Sequence, residues 1–460
     1  MNREPDFLEN LRAEFSGWRL WIDRAIVLGY AVAAGLFVVG FTIASDWAFA
    51  LFQRISAGPY PWAVLIWTPA LTATIVWVTR RWFPGTAGSG IPQIKAALHP
   101  ALPPERRPAF VSLRLTVAKI VLGVAGFAAG LSVGREGPSV QVAAGVMQHA
   151  RRWLSPGSTI DARALLVAGG AAGIAAAFNA PLAGVVFAIE ELSGRLEARS
   201  SGLIITAILL AGLVAVSAFG NQSYFGVIKV QRLGWDLLLP GLLVALGSGV
   251  AGGFFSRLLS LSLTGAPERL NRWRARWPVR FAAAGGVAIA IIGLASGGAT
   301  FGAGSEAVKQ MLAGESDFTP FYSLLKFMAT WLTAWCGAPG GIFAPSLSIG
   351  AGLGHAVSHV AQADLAPALI AMGMAAFLAA VTQAPLTAFI IVMEMVDGHS
   401  MVLSLMASAM LASLVSRMIS RPLYETLAQH MVASAVSTPA PVGPVAAPAP
   451  PDSPEVPPKQ

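Results

Sequence analysis

Gly134-Arg135-Glu136-Gly137-Pro138-Ser139-Val140-Gln141-Val142-Ala143-Ala144-Gly145 is the stretch that decides the fold, because its second part is written twice. Pro138-Ser139-Val140-Gln141-Val142-Ala143-Ala144-Gly145 returns as Pro345-Ser346-Leu347-Ser348-Ile349-Gly350-Ala351-Gly352, at an offset of 207 residues (345 less 138). Proline, serine, the apolar spacing and the closing glycine all recur. Further out, Ala180-Pro181-Leu182 returns as Ala384-Pro385-Leu386 at an offset of 204 (384 less 180), and Glu190 then falls opposite Glu394. Two segments in one order at nearly one offset define an internal repeat. The halves run over roughly 25–228 and 235–418. Similarity of sequence leaves open whether they are inverted or parallel. In either case a site shared by two such halves is expected at their interface.

Composition sets the solvent around these halves. The 460 residues are 55% hydrophobic and 12% charged, against the ~25% charged residues of an ordinary soluble domain. Nine stretches, among them Ala25–Ser45, Ala164–Ile189, Phe327–Ala363 and Leu365–Met393, hold no Asp, Glu, Lys or Arg. About 20 apolar residues cross the hydrocarbon of a bilayer, so the chain reads as an all-α polytopic membrane protein. Several runs are too long for one crossing or are cut by Gly and Pro, which predicts tilted, broken and re-entrant helices. A bilayer tolerates these only where protein or a water cavity covers the free backbone groups.

The net charge of +8 reads as the positive-inside bias of membrane proteins and not as a nucleic-acid footprint. Arg195 and Arg199, and the cluster Arg269, Arg272, Arg274, Arg276 and Arg280, are expected on one face, the cytoplasmic one. The single cysteine, Cys336, excludes an internal disulfide and a cysteine metal cage. No removable signal peptide is read at the N-terminus. The expected layout is an amphipathic cytoplasmic N-terminus over 1–24, a first membrane repeat over 25–228 and a linker over 229–234. A second repeat over 235–418, a pore-lining C-terminal helix over 419–433 and a disordered Pro/Ala-rich tail over 434–460 complete it, with both termini cytoplasmic.

Three motifs place glycine and proline where apolar helical runs begin: Gly88-Ser89-Gly90-Ile91-Pro92, Gly134-Arg135-Glu136-Gly137-Pro138 and Gly340-Gly341-Ile342-Phe343-Ala344-Pro345. Proline suits the first turn of a helix and glycine allows a tight approach to it. Each start leaves free N–H groups and about half a positive charge. Several starts aimed at one point would hold an anion without the tight grip of an arginine. The plainer alternative for any one motif is a kink in a packed span. Glu136 carries the sharper signal, since a carboxylate inside the membrane costs about 2.5–3.5 kcal/mol on insertion scales. It could form an ion pair with Arg135 or Lys119, or compete with an anion when ionised and withdraw when protonated. Glu190 and Glu191 are either interfacial carboxylates near Arg195 and Arg199 or, for one of them, a group that loads protons from an inner cavity. His355 and His359 stand at helical spacing with no third ligand, so packing and not metal is expected. Neither a Walker loop nor a nucleophile–base pairing is read, and neither an enzyme nor a cofactor is expected.

Together the three motifs, the Phe178–Leu192 segment, Ala384-Pro385-Leu386-Thr387 with Glu394, and Arg421-Pro422-Leu423-Tyr424 resemble the CLC family of chloride channels and chloride/proton antiporters, over about residues 20–430. The resemblance implies a CLC-type fold of two inverted-topology repeats and a homodimer with one pore per subunit. It implies a short bacterial inner-membrane form without a C-terminal regulatory module. By the motif match, Ser89 and Tyr424 would offer hydroxyls to a central chloride, and Ile342 and Phe343 backbone N–H groups. Glu136 would be the external gating glutamate and Glu191 the internal proton glutamate. Gly88, Gly90, Pro92, Gly134, Arg135, Gly137, Pro138, Gly341 and Pro345 would support the pore. Antiport of chloride against protons is the implied activity, with a passive voltage- or pH-gated chloride channel as the alternative. Gln93, Lys95 and Gln383 depart from the family pattern, and no effect of theirs on the central site is expected.

Overall fold

The computed structural model describes residues 18–437 apart from 159, 194–197, 221–222, 229–233, 266, 315–317 and 320. The charge-free runs become helices. In the first half these are α1 (Trp18–Ser56), α2 (Val64–Trp82), α3 (Ile91–Leu98), α4 (Leu113–Ala128), α5 (Glu136–His149), α6 (Ala162–Phe178), α7 (Pro181–Phe187) and α8 (Ala198–Phe219). The second half supplies α9 (Leu238–Thr264), α10 (Glu268–Arg276), α11 (Pro278–Ala295), α12 (Ser305–Leu312), α13 (Tyr322–Cys336), α14 (Phe343–Ser358), α15 (Ala366–Thr382), α16 (Pro385–Met395) and α17 (Val402–Ile419), and α18 (Leu423–Ser437) ends the chain's described part. No strand occurs among the described residues, only two isolated bridges, Gly88 with Pro339 and Gly134 with Gly341.

Among the described residues seven helices are long and apolar enough to cross a membrane, α1 and α9 being the longest. The short helices sit inside them. α5 is buried from Glu136 to Met147 and α15 from Ala368 to Thr382. Small residues permit this, as they do generally between membrane helices. Gly169 and Gly173 of α6 lie against α5 at Ala144 and Ser139, and Gly350 and Gly354 of α14 lie against α15 at Gly373 and Leu369. Asn179 and Gln383, 204 residues apart, end α6 and α15 in the left-handed conformation at φ 54° and 58°. In each half an Ala-Pro then starts a helix of 7 or 11 residues, α7 or α16. Neither is long enough at 1.5 Å per residue to span about 30 Å of hydrocarbon.

The two halves meet at one pair of residues. Gly134 N–H donates to the Gly341 carbonyl at 2.8 Å, and Gly341 N–H donates back to the Gly134 carbonyl at 2.7 Å, in antiparallel register. The two are equivalent positions of the repeat, 207 residues apart. Equivalent segments that pair antiparallel are related by a local two-fold axis through the pair, as expected between two repeats.

Three expected boundaries shift. α1 runs unbroken from Trp18 into the first crossing, because no Gly or Pro interrupts 18–28, so residues 18–24 belong to that helix and not to a separate surface segment. Ile419 ends α17, and Arg421-Pro422 separates it from α18, which begins at Leu423 and continues to Ser437 beyond the expected end at 433. The rest of the expected amphipathic segment, most of the linker and the tail from 438 lie outside the described residues.

Candidate functional site

The three glycine motifs are sewn to one another by backbone. Besides the Gly134–Gly341 pair, Gly88 N–H donates to the Ala338 carbonyl at 3.3 Å and Gly340 N–H to the Gly88 carbonyl at 3.1 Å. Space is tight where Gly90, Gly137 and Gly341 meet. A methyl at Gly341 would sit 3.0 Å from the Gly137 nitrogen and 3.0 Å from Pro138 Cδ, and one at Gly90 would stand 2.5 Å from the Gly137 carbonyl oxygen. A methyl at Gly137 would fall on the Ser89 hydroxyl. Hence the Ser89 side chain lies against the first turn of α5, with the start of α14 on the other side.

Glu136 is 2% exposed at the head of α5. Its Oε2 accepts from the Ala344 N–H of α14 at 3.4 Å. The carboxylate therefore lies on the N-terminus of the opposite half's helix, a place that favours negative charge. It forms no ion pair among the described residues. Arg135 turns the other way, to Asp46 of α1 and to the Tyr224 hydroxyl at 3.1 Å, and Tyr224 reaches Ser305 at 3.2 Å. Lys119 is fully buried and donates to the Thr86 and Gly88 carbonyls at 2.8 and 2.6 Å. The two ion-pair partners considered from the sequence thus serve other groups.

Ser89 Oγ and Tyr424 OH are both buried and stand near each other, and neither has a hydrogen-bond partner at ordinary distance and angle. Buried hydroxyls rarely stay unpaired without a reason. The Tyr424 ring stacks on Phe343 at 6.0 Å and 15°, and Phe343 also meets Phe178 at 6.2 Å and Phe187 at 6.4 Å. The phenol is thereby fixed from α18 beside the α14 start, within electrostatic reach of both Glu136 and Glu191. Ile342 and Phe343, 6% and 1% exposed, supply the first N–H groups of α14, which no helical carbonyl can satisfy. Gly88, Gly90, Pro92, Gly134, Gly137, Pro138, Gly341 and Pro345 all lie in the crossing loops or the first turns beside them.

Glu190 and Glu191 share a π-helical turn, Ala188–Ser193, an irregularity frequent at functional sites. They do different things. Glu190 caps α16 through the Leu386 and Thr387 N–H groups at 3.1 and 2.6 Å. Glu394 returns the favour, capping α7 through Leu182 and Ala183 at 3.2 and 2.7 Å. Glu191 instead turns inward and accepts from Lys95 Nζ at 2.9 Å. Arg195 and the Arg199 side chain, once candidates for partners, lie outside the described residues.

The departing residues sit nearer the site than expected. Gln93 is 2% exposed; its Oε1 accepts from Gly90 N–H at 3.0 Å and its Nε2 donates to the Ala87 carbonyl at 2.5 Å, so it braces the Ser89 loop from within. Lys95 holds Glu191 directly. Only Gln383 stays remote, donating to the Ser420 carbonyl at 3.0 Å. His355 and His359 pack ring against ring at 4.7 Å, and no metal-ligating cluster is present among the described residues. Sequence reasoning also missed Lys326, the counterpart of Lys119. It donates to the Thr300 and Gly302 carbonyls at 2.9 and 2.7 Å. The pattern Thr86-Ala87-Gly88-Ser89-Gly90 against Thr300-Phe301-Gly302-Ala303-Gly304 carried that signal.

The chain resembles known proteins over most of its length. Residues 70–417 match the family described as voltage gated chloride channel. The chain is 31% identical to the H(+)/Cl(-) exchange transporter ClcA of Citrobacter koseri, over 88% of each chain. It is 33% identical to the ClcA exchanger of Cronobacter sakazakii, over 86% of this chain and 87% of the other. Among solved structures, a slow cyanobacterial Cl-/H+ antiporter superposes with a TM-score of 0.75 at 26% identity, covering 89% of this chain and 98% of that one. A eukaryotic CLC transporter shares the fold, with a TM-score of 0.70 at 23% identity, over 90% of this chain and 74% of that one. With its inverted halves, its sewn glycine loops and this match over most of its length, the chain belongs to the CLC (voltage gated chloride channel) family of membrane proteins.

Proposed function

We propose that this protein exchanges chloride for protons across the membrane. The observation that carries the reading is the Glu136 carboxylate resting on the α14 N-terminus, beside two buried hydroxyls that stand near each other and have no further hydrogen-bond partner in the protein. A carboxylate in that place occupies an anion position. Protonated, it is neutral and leaves; chloride then takes the position, with the Ser89 and Tyr424 hydroxyls and the Ile342 and Phe343 N–H groups as its donors. Deprotonated, Glu136 returns as a competitor. Occupancy by anion and by proton become mutually dependent, and that is antiport.

Glu136 is the gate to the external side and Glu191 the proton carrier to the internal one, with Tyr424 between them. The exchange activity named for the relatives supports the reading. The working unit is a homodimer with a pore in each subunit, in a bacterial inner membrane with both termini in the cytoplasm. No cofactor, nucleic acid or covalent chemistry enters the cycle, and lipid is solvent to it.

The test is purified protein in liposomes given a chloride gradient and no proton gradient. Protons should move uphill at the expense of chloride, and Glu191→Gln should suppress proton movement while chloride still flows. Chloride flux without any coupled proton movement in the unmodified protein would assign it instead as a passive channel.

A further inference from the structure

Lys95 does not serve Glu191 alone. Its Nζ stands 2.9 Å from Glu191 Oε1 and 3.4 Å from Glu425 Oε2, so one ammonium bridges two carboxylates. The three side chains form a gradient of exposure: Glu425 is 42% exposed, Lys95 16% and Glu191 7%. Two of them come from helices packed on each other, Lys95 from α3 and Glu425 from α18. α18 also carries Tyr424, one residue before Glu425, so the anion-site phenol and the outer carboxylate move as one body. Glu190 acts on Glu191 through space but is committed to the α16 N-terminus. The other helices packed on the π turn, α6, α7 and α16, bring no further ionisable group to bear on Glu191 among the described residues.

We propose that Glu425, Lys95 and Glu191 form a charge-balanced relay that loads the internal proton, with Glu425 as the group that collects it from solution and Lys95 as the positioning residue. This rests on the assignment of Glu191 as the internal proton carrier. With both carboxylates ionised the cluster carries one net negative charge. A proton from water lands on Glu425, and Lys95 pairs with Glu191; the cluster is neutral. The proton then passes to Glu191 while Lys95, keeping its own three protons, shifts to Glu425. Net charge is unchanged by that step, so no uncompensated charge enters a low-dielectric site.

Without the ammonium, two neighbouring carboxylates cannot both ionise readily, and one retains its proton. Loading then works and unloading fails. In liposomes with the inner pH varied, Lys95→Met should keep carrying chloride. The inner-pH midpoint of its proton flux should move up by about one unit, the like-charge effect, which lowers proton release about tenfold near neutral pH. Lys95→Arg, which keeps the charge, should restore the wild-type profile. Glu425→Gln should lower proton flux without shifting chloride flux, and being half-exposed it threatens folding least.

A wild-type proton-to-chloride ratio and pH profile in Lys95→Met overturns the relay. So does an unchanged proton flux in Glu425→Gln, or a Lys95→Arg protein as impaired as Lys95→Met. Glu191→Gln run beside them separates the levels: if it alone loses proton movement, the relay fails and the assignment of Glu191 stands. If Glu191→Gln still moves protons, the assignment itself is gone.

Discussion

The first half of this molecule and the second share a skeleton and differ in what they hang on it. Lys119 and Lys326 each grip two carbonyls of a loop that leads into a short helix, α3 or α12. Glu190 and Glu394 cap each other's half. Where the equivalent residues are the same, they hold the fold. Where they differ, chemistry appears. Ser89 corresponds to Ala303, Glu136 to Phe343 and, two short helices on, Glu191 to Met395. All the polar members of these pairs lie in the first half, and the second answers with apolar walls and bare N–H groups. A duplicated frame supplies two opposed helix starts; breaking its symmetry makes the space between them directional.

The largest effect expected from disturbing that contrast is at Glu136. Glu136→Gln keeps the shape and removes the proton, so chloride should flow while its coupling to protons, read as uphill pumping in liposomes, disappears. Phe343→Leu, the equivalent position, should leave coupling in place.

The lysines come next. Either Lys119→Met or Lys326→Met leaves two buried carbonyls short of a donor, at about 1–3 kcal/mol for each unsatisfied group, partly offset by removing a buried charge. Thermal unfolding in detergent should show similar losses for the two. Chloride binding by calorimetry should fall only for Lys119→Met, whose loop carries Ser89. Equal losses of binding would mean that the second loop also shapes the site.

The smallest effect belongs to the caps. Glu190→Ala and Glu394→Ala should each cost about 1 kcal/mol, the usual worth of an N-cap, and should leave the proton-to-chloride ratio alone. A change in coupling for Glu190→Ala but not Glu394→Ala would draw Glu190 into proton handling.

Much of this was legible in the sequence because the helix starts use residues with few alternatives. Proline at a first turn and glycine at a crossing leave a pattern that survives in both halves, so Pro138 and Pro345 announced the repeat, and Ala180-Pro181 with Ala384-Pro385 confirmed its phase. The lysine pair was not seen, although it keeps the offset of 207, since a lone lysine in an apolar helix has no local partner in the sequence and its acceptors are backbone atoms 31 and 33 residues away. The roles of Lys95 and Gln93 escaped for the opposite reason. As departures from a pattern they looked peripheral, and only the fold brings Lys95 to a carboxylate 96 positions along. Inversion of the halves was not legible at all, because side-chain likeness carries no information on how the axis between two repeats lies in the membrane.

That pair also limits how the protein can move. Transporters built from repeats commonly expose a central site by rocking one half against the other. Here the halves are pinned to each other by backbone bonds at the site itself, through Gly134 with Gly341 and Gly88 with Ala338 and Gly340. A rigid-body tilt would tear the pins at the proposed anion site. In the proposed exchange, access alternates on the scale of a side chain swinging and a helix end shifting, and the proposed pivot is a carboxylate rather than a hinge between domains.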